Sequence, residues 1–200
     1  MMIFLILAPF GAFATLMMFT SATVSLFAGA GVAAATIAYD LTRGGSIKML
    51  AVGSLILFSA LGCYIAFVDS SWSSPIVRLA VDGGVMVIAL ASIVLRFPFT
   101  LQYAREIVDA ETRKLPGFVH VNYVITWAWT AAFVLMVIVN VLMIYLPNLP
   151  LWAGLAIAVA ARNSAAYFTK WYPKHRREVA ARQALLRPAG PGLLNRPARA

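Results

Sequence analysis

No charged side chain occurs between Met1 and Tyr39. A single helix of that length, rising about 1.5 Å per residue, would be nearly twice the roughly 30 Å of a bilayer's hydrocarbon core. The polar cluster Thr20-Ser21-Ala22-Thr23 therefore predicts a reversal, with a first apolar span near residues 3–19 and a second near 24–39. Asp40-Leu-Thr-Arg-Gly-Gly-Ser46 ends the second span with charge and a glycine pair. A third span is expected over about 47–68, closed by a Ser/Pro-rich turn whose Trp72 suits an interface, and a fourth from Pro75 to near Leu95. After the mixed stretch 96–122 come spans five (about 123–146) and six (about 151–168), joined by the hairpin turn Pro147-Asn-Leu-Pro150.

Composition sharpens the class. The 200 residues are 62% hydrophobic and 12% charged, with mean hydropathy +0.85, whereas soluble domains are about half apolar and a quarter charged. In lipid every backbone group must be bonded internally, which leaves helices or closed barrels, and the period-2 alternation of barrel strands is missing. The expected fold is all-α, one polytopic transmembrane bundle of about six helices over residues 1–170, followed by a basic tail over 171–200. Ala12-Phe13-Ala14 has the spacing of a signal-peptide cleavage site, but no Lys or Arg precedes it, which predicts retention of the segment.

Charge placement gives the orientation. With six alternating spans, Arg43, Lys48, Arg96, Arg105, Arg113, Lys114, Lys170, Lys174, Arg176, Arg177, Arg182, Arg187, Arg196 and Arg199 share one side, and the other receives only Arg78. The positive-inside rule then puts both termini in the cytoplasm of a bacterial inner membrane. The formal charge of +9 sits at helix ends and in the tail, so anionic lipid headgroups are the expected partner and nucleic acid is not. The tail reads as a short basic helix through about Leu186 and a disordered remainder.

Polar residues within this frame are the candidates for function. Leu101, Ala104, Val108 and Leu115 share one face of the loop, which predicts an interfacial amphipathic helix. Its polar candidates are Arg96, Gln102, Tyr103, Arg105 and Glu106, either as a docking surface or as a solvated connector. Arg78 and Asp82 lie four residues apart and can pair, although Arg78 can also snorkel outward. By residue count Asn140 matches the depth of Asp82, and Arg162 with Asn163 lies deeper. Asp82, Asn140 and Arg162 are thus expected to line one seam, which serves a solute or proton path or simply holds the helices together.

Other features read as architecture. Gly29-Ala-Gly-Val-Ala33 suits close helix packing, and Trp127 and Trp129 suit an interfacial belt. The single cysteine, Cys63, reads as a small buried hydrophobe and excludes an intrachain disulfide. His120 and His175 form no local metal motif. No metal or cofactor is expected, and neither nucleophile elbow, phosphate-binding glycine loop nor zinc spacing is present.

The order of features resembles the intracellular septation protein A family of bacterial inner-membrane proteins. The likeness rests on Leu5-Ile-Leu-Ala-Pro9, the alanine-rich span leading from Ala33 into Lys48, Arg96-Phe-Pro-Phe99, and Val121-Asn-Tyr-Val-Ile-Thr-Trp-Ala-Trp129 running on to Asn140. It covers roughly residues 3–170, and the Arg162-Asn163 pair and long basic tail depart from it. The resemblance implies a structural or interaction role in cell-envelope maintenance or septation, through other membrane proteins, and supplies no catalytic residue. The alternatives are a small transporter or channel using the polar seam, and a membrane-embedded enzyme of lipid metabolism. Such an enzyme requires a polar pocket at the cytoplasmic interface beside residues 96–105.

Overall fold

The computed structural model describes residues 2–146, 148 and 150–186, and among these every regular element is a helix. In chain order they are α1 (Met2–Leu16), α2 (Ala22–Thr42), α3 (Met49–Phe67), α4 (Ser74–Val94), α5 (Phe99–Ile107), α6 (Ala110–Lys114), α7 (Pro116–Tyr145) and α8 (Leu151–Leu186). The reversal between α1 and α2 falls at the polar cluster. There Ser21 Oγ caps α2 by accepting from the Val24 N–H at 3.3 Å, and Ser25 Oγ donates back to the Ser21 carbonyl at 2.8 Å. Pro75 and Pro116 stand in the first turns of α4 and α7, where a missing N–H leaves no helical bond unmade.

Among the described residues, four helical segments are long and apolar enough to cross a membrane: Ala22–Thr42, Met49–Phe67, Ser74–Val94 and Gly117–Tyr145. Only 28–39% of the residues in the most apolar stretch of each are buried within the bundle, and large apolar side chains including Ile56, Phe67, Val87 and Ile138 are exposed. Water would make such a surface a strong driver of association, whereas hydrocarbon solvates it. The protein is therefore membrane-embedded. α1 contributes the shorter apolar run Leu7–Leu16.

Packing is most extensive between α2 and α3, α4 and α7, and α7 and α8, with α1 laid on α2. The small residues of α2 let α3 approach closely. A Cβ added at Gly29 would lie 3.1 Å from the ring of Phe58, which is fully buried between Phe10 and Phe13.

Several expectations are corrected. The amphipathic segment is two helices, because Val108 leaves helical geometry and Asp109 caps α6 by accepting from the Thr112 N–H at 3.2 Å. α7 begins at Pro116, so residues 116–122 belong to the long helix instead of the loop. α8 runs unbroken from Leu151 to Leu186 through Pro173, joining the tail's basic residues to the segment expected as span six in one helix. The rest of the tail, 187–200, for which disorder is the expectation from sequence, lies outside the described residues. Cys63 is exposed, because the buried face of α3 follows Leu50, Ser54, Phe58, Gly62 and Ile65 and leaves position 63 outside. Trp127 is exposed but Trp129 is buried, its Nε1 donating to Thr169 Oγ1 at 3.0 Å, so only one of the two indoles suits an anchoring belt.

Candidate functional site

α5 is held inward by polar side chains instead of floating on its apolar face. The Met49 N–H, unpaired at the start of α3, donates to Gln102 Oε1 at 2.7 Å, while Gln102 Nε2 donates to the Phe97 carbonyl at 3.2 Å. On its other flank, Thr100 Oγ1 donates to the Asn122 carbonyl of α7 at 2.8 Å. These bonds fix α5 against the start of α3 and against α7, beside an open-sided cavity of about 810 Å³ at the basic end of the bundle.

Lys48 lines that cavity. Its side chain is 1% exposed, and its Nζ lies 2.5 Å from Asp40 Oδ2 and 3.1 Å from Glu106 Oε2. The ammonium also stands 5.2 Å from the centre of the Tyr103 ring. An isolated ammonium so deeply buried would cost several kcal/mol, and two carboxylates offset that cost. The turn is shaped for this contact. Gly44 adopts φ +71°, a conformation glycine takes without strain, and a Cβ on Gly45 would lie 3.0 Å from the Asp40 carbonyl oxygen and 3.4 Å from Glu106 Oε1. The next residue, Ser46, donates both its N–H and its hydroxyl to Glu106 Oε1 at 3.0 Å.

Burial opposes charge on Glu106, but the bonds from Ser46 and Lys48, with the Lys48 charge, outweigh it and hold the carboxyl below its ordinary range. Burial, reinforced by the charges of Asp40 and Glu106, pushes the Tyr103 hydroxyl well above its usual range. Lys48 is thus neutralised by its partners. Arg43, Arg105 and Arg113 also line the chamber, and among the described residues no salt bridge involves any of them. Arg43 rests over the Tyr39 ring and Arg105 over Phe97, 5.0 and 5.4 Å from the ring centres. Guanidinium groups so placed are suited to phosphate and carboxylate ligands, which they can grip in two-point fashion.

A second polar cluster lies between α4, α7 and α8. Asn140 Nδ2 donates to Asp82 Oδ2 at 2.8 Å, and Arg162 Nη2 lies 3.7 Å from Asp82 Oδ1. The structure thus brings Asp82, Asn140 and Arg162 together. Arg78 forms no ion pair with Asp82 among the described residues, the carboxylate being taken by Arg162 instead. Asn163 points outward and stands apart from the cluster.

Of the loop candidates, Gln102, Tyr103, Arg105 and Glu106 gather at the chamber. Gln102 and Tyr103 are buried, which corrects their expected place on a solvated or docking face. Arg96 is exposed and lies at the end of α4. Sequence reasoning passed over Lys48 and Asp40 as loop charges. The signal present was a lysine at a helix N-terminus, where the dipole opposes a cation, eight residues after an aspartate and beyond a glycine pair. Among the described residues no group of three or more His, Cys, Asp or Glu stands close enough to hold a metal ion. No protein-family model, curated protein or solved structure matches the chain.

Proposed function

We propose that this chain is a six-crossing protein of a bacterial inner membrane, with both termini cytoplasmic, which binds an anionic phosphorylated headgroup in the chamber at its basic end. The observation that carries this reading is the set of Arg43, Arg105 and Arg113 on the wall of a preformed cavity of about 810 Å³, with the remaining cation, Lys48, already paired. Cationic groups at a membrane surface attract anionic lipid by about 1 kcal/mol each, and a chamber adds the selectivity that a flat surface lacks. The cytoplasmic placement follows from the positive-inside rule. The resemblance to the septation protein A family agrees with an envelope or septum role for such binding, through contacts with other membrane proteins.

The test is lipid retention. Full-length protein extracted in mild detergent should carry co-purified anionic lipid, measured by native mass spectrometry. Arg43→Gln with Arg105→Gln should strip it, while Arg176→Gln with Arg182→Gln in the helical tail should not. Equal retention by both double variants would assign binding to diffuse surface charge and defeat the proposal.

A transport role would instead use Asp82, Asn140 and Arg162, and their contact across three helices supports it. The same groups satisfy one another, which equally suits a clasp, and Asp82→Asn separates the two. Transport predicts normal membrane levels with activity lost; a clasp predicts less folded protein. An enzyme of lipid metabolism would work in the chamber itself, with a lipid phosphate beside Arg105.

A further inference from the structure

A second cavity, of about 300 Å³, lies on the opposite side of α5 from the charged chamber, with Leu50 and Tyr103 lining both. Its interior is apolar, built from Phe10 of α1, Phe99 and Ile107 of α5, and Ile125, Trp129 and Phe133 of α7. Lys170 and Arg177 of α8 also line it, and both are exposed side chains. Seven residues apart on one helix, they share a face two turns in length. The basic stretch of α8 thus presents two cations to an apolar hole at one end of the membrane domain.

We infer that this cavity holds the hydrocarbon chain of a single-chain anionic amphiphile, whose phosphate is bound by Lys170 and Arg177. Charge complementarity selects the head. Volume selects the chain: at roughly 30 Å³ per water-sized group, the cavity has room for about ten methylenes. One chain of that length fills the space, and a second chain would have to lie outside it. The common chemistry is a phosphate on one alkyl or isoprenyl chain. The inference rests on reading this end of the bundle as a lipid-handling interface, but on a cavity other than the headgroup chamber.

The experiment uses full-length protein in lipid nanodiscs and dodecyl phosphate carrying a photoreactive diazirine at its chain terminus. Illumination should place adducts on peptides containing Phe10, Ile125 or Phe133. Unlabelled dodecyl phosphate or farnesyl phosphate should suppress them, the stronger competitor identifying the chain as alkyl or isoprenyl, while inorganic phosphate and dodecanol should not. Lys170→Gln with Arg177→Gln, both at exposed positions where folding is not at risk, should reduce labelling roughly tenfold or more. Adducts confined to outward-facing residues such as Ile56, Phe67 and Val87, or labelling unmoved by any competitor or by the double variant, would overturn the inference. Arg43→Gln with Arg105→Gln should leave the labelling intact, so failure of the headgroup chamber and failure of the chain site are read separately.

Discussion

Lys48 occupies the N-cap of α3, where the helix dipole opposes a cation, and its stability there depends on Asp40 and Glu106. The burial is unequal: Lys48 is 1% exposed, whereas the two carboxylates are 23% and 21% exposed. Removing the cation leaves two anions that can still reach water, while removing both anions strands a buried ammonium. Asp40→Asn with Glu106→Gln should therefore destabilise the protein more than Lys48→Met does, by a margin within the 3–5 kcal/mol or so of a broken buried pair. Thermal unfolding in detergent checks the order, and the reverse order would sink the assignment. The pH dependence follows from the lowered Glu106 carboxyl. Near its ordinary value of 4.5 the unfolded group binds more protons than the folded one, so its contribution is full above that value and is lost as pH falls through the lower folded value. The stability gap between the wild type and Glu106→Gln should narrow as unfolding is measured at successively lower pH below about 4.5. Arg96 is a different case. It takes φ 57° just past the end of α4, where its N–H donates to the Ile93 carbonyl and the Phe97 N–H to Ser92. That is a Schellman turn in the position glycine usually fills, and an arginine there costs about 1 kcal/mol. Arg96→Gly should raise stability by about that amount in the same unfolding assay.

Between elements, the contact among Asp82, Asn140 and Arg162 joins α4, α7 and α8. A double-mutant cycle with Asp82→Ala and Asn140→Ala should give a coupling of about 0.6 kcal/mol, and not more than about 1.7, the scale of buried polar pairs in membrane bundles. Zero coupling in reversible unfolding would mean that the hydrogen bond contributes nothing to the clasp. The juxtaposition was legible from residue counting, because straight antiparallel helices of known rise put Asp82 and Asn140 at one depth. The break at Val108 and Asp109 was not, since the apolar spacing of Leu101, Ala104, Val108 and Leu115 continues across it. The local signal was Asp109 ahead of Thr112, whose N–H the aspartate side chain accepts. Nor was the continuity of α8 legible, because Pro173 after Trp171-Tyr172 reads as a boundary. An interior proline removes one hydrogen bond, and the helix continues where its neighbouring turns hold. The inward turn of Gln102 and Tyr103 depended on partners in α3 and on Lys48 that no pattern within residues 96–122 contains.

Across the whole molecule, the number of crossings turns on the two outer helices. α1, Met2–Leu16, spans only about 22 Å at about 1.5 Å per residue, short of the roughly 30 Å core, but the apolar Met17, Met18 and Phe19 follow it. α8 is long enough but is not among the four segments that are also apolar enough, and a crossing α8 would carry Arg162, whose contact with the Asp82 carboxylate would offset part of the cost of that cation. Each helix has its own topological readout. Gly45, in the turn between α2 and α3, is separated from the N-terminus by α1 and α2, and from the C-terminus by α3, α4, α7 and α8. Compartment-sensitive reporters at the N-terminus, at Gly45 and at the C-terminus should all report the cytoplasm. An N-terminal reporter opposite to Gly45 would mean that α1 does not cross. A C-terminal reporter opposite to Gly45 would mean that α8 does not cross, which would detach Lys170 and Arg177 from the cytoplasmic face where a phosphorylated amphiphile would meet them.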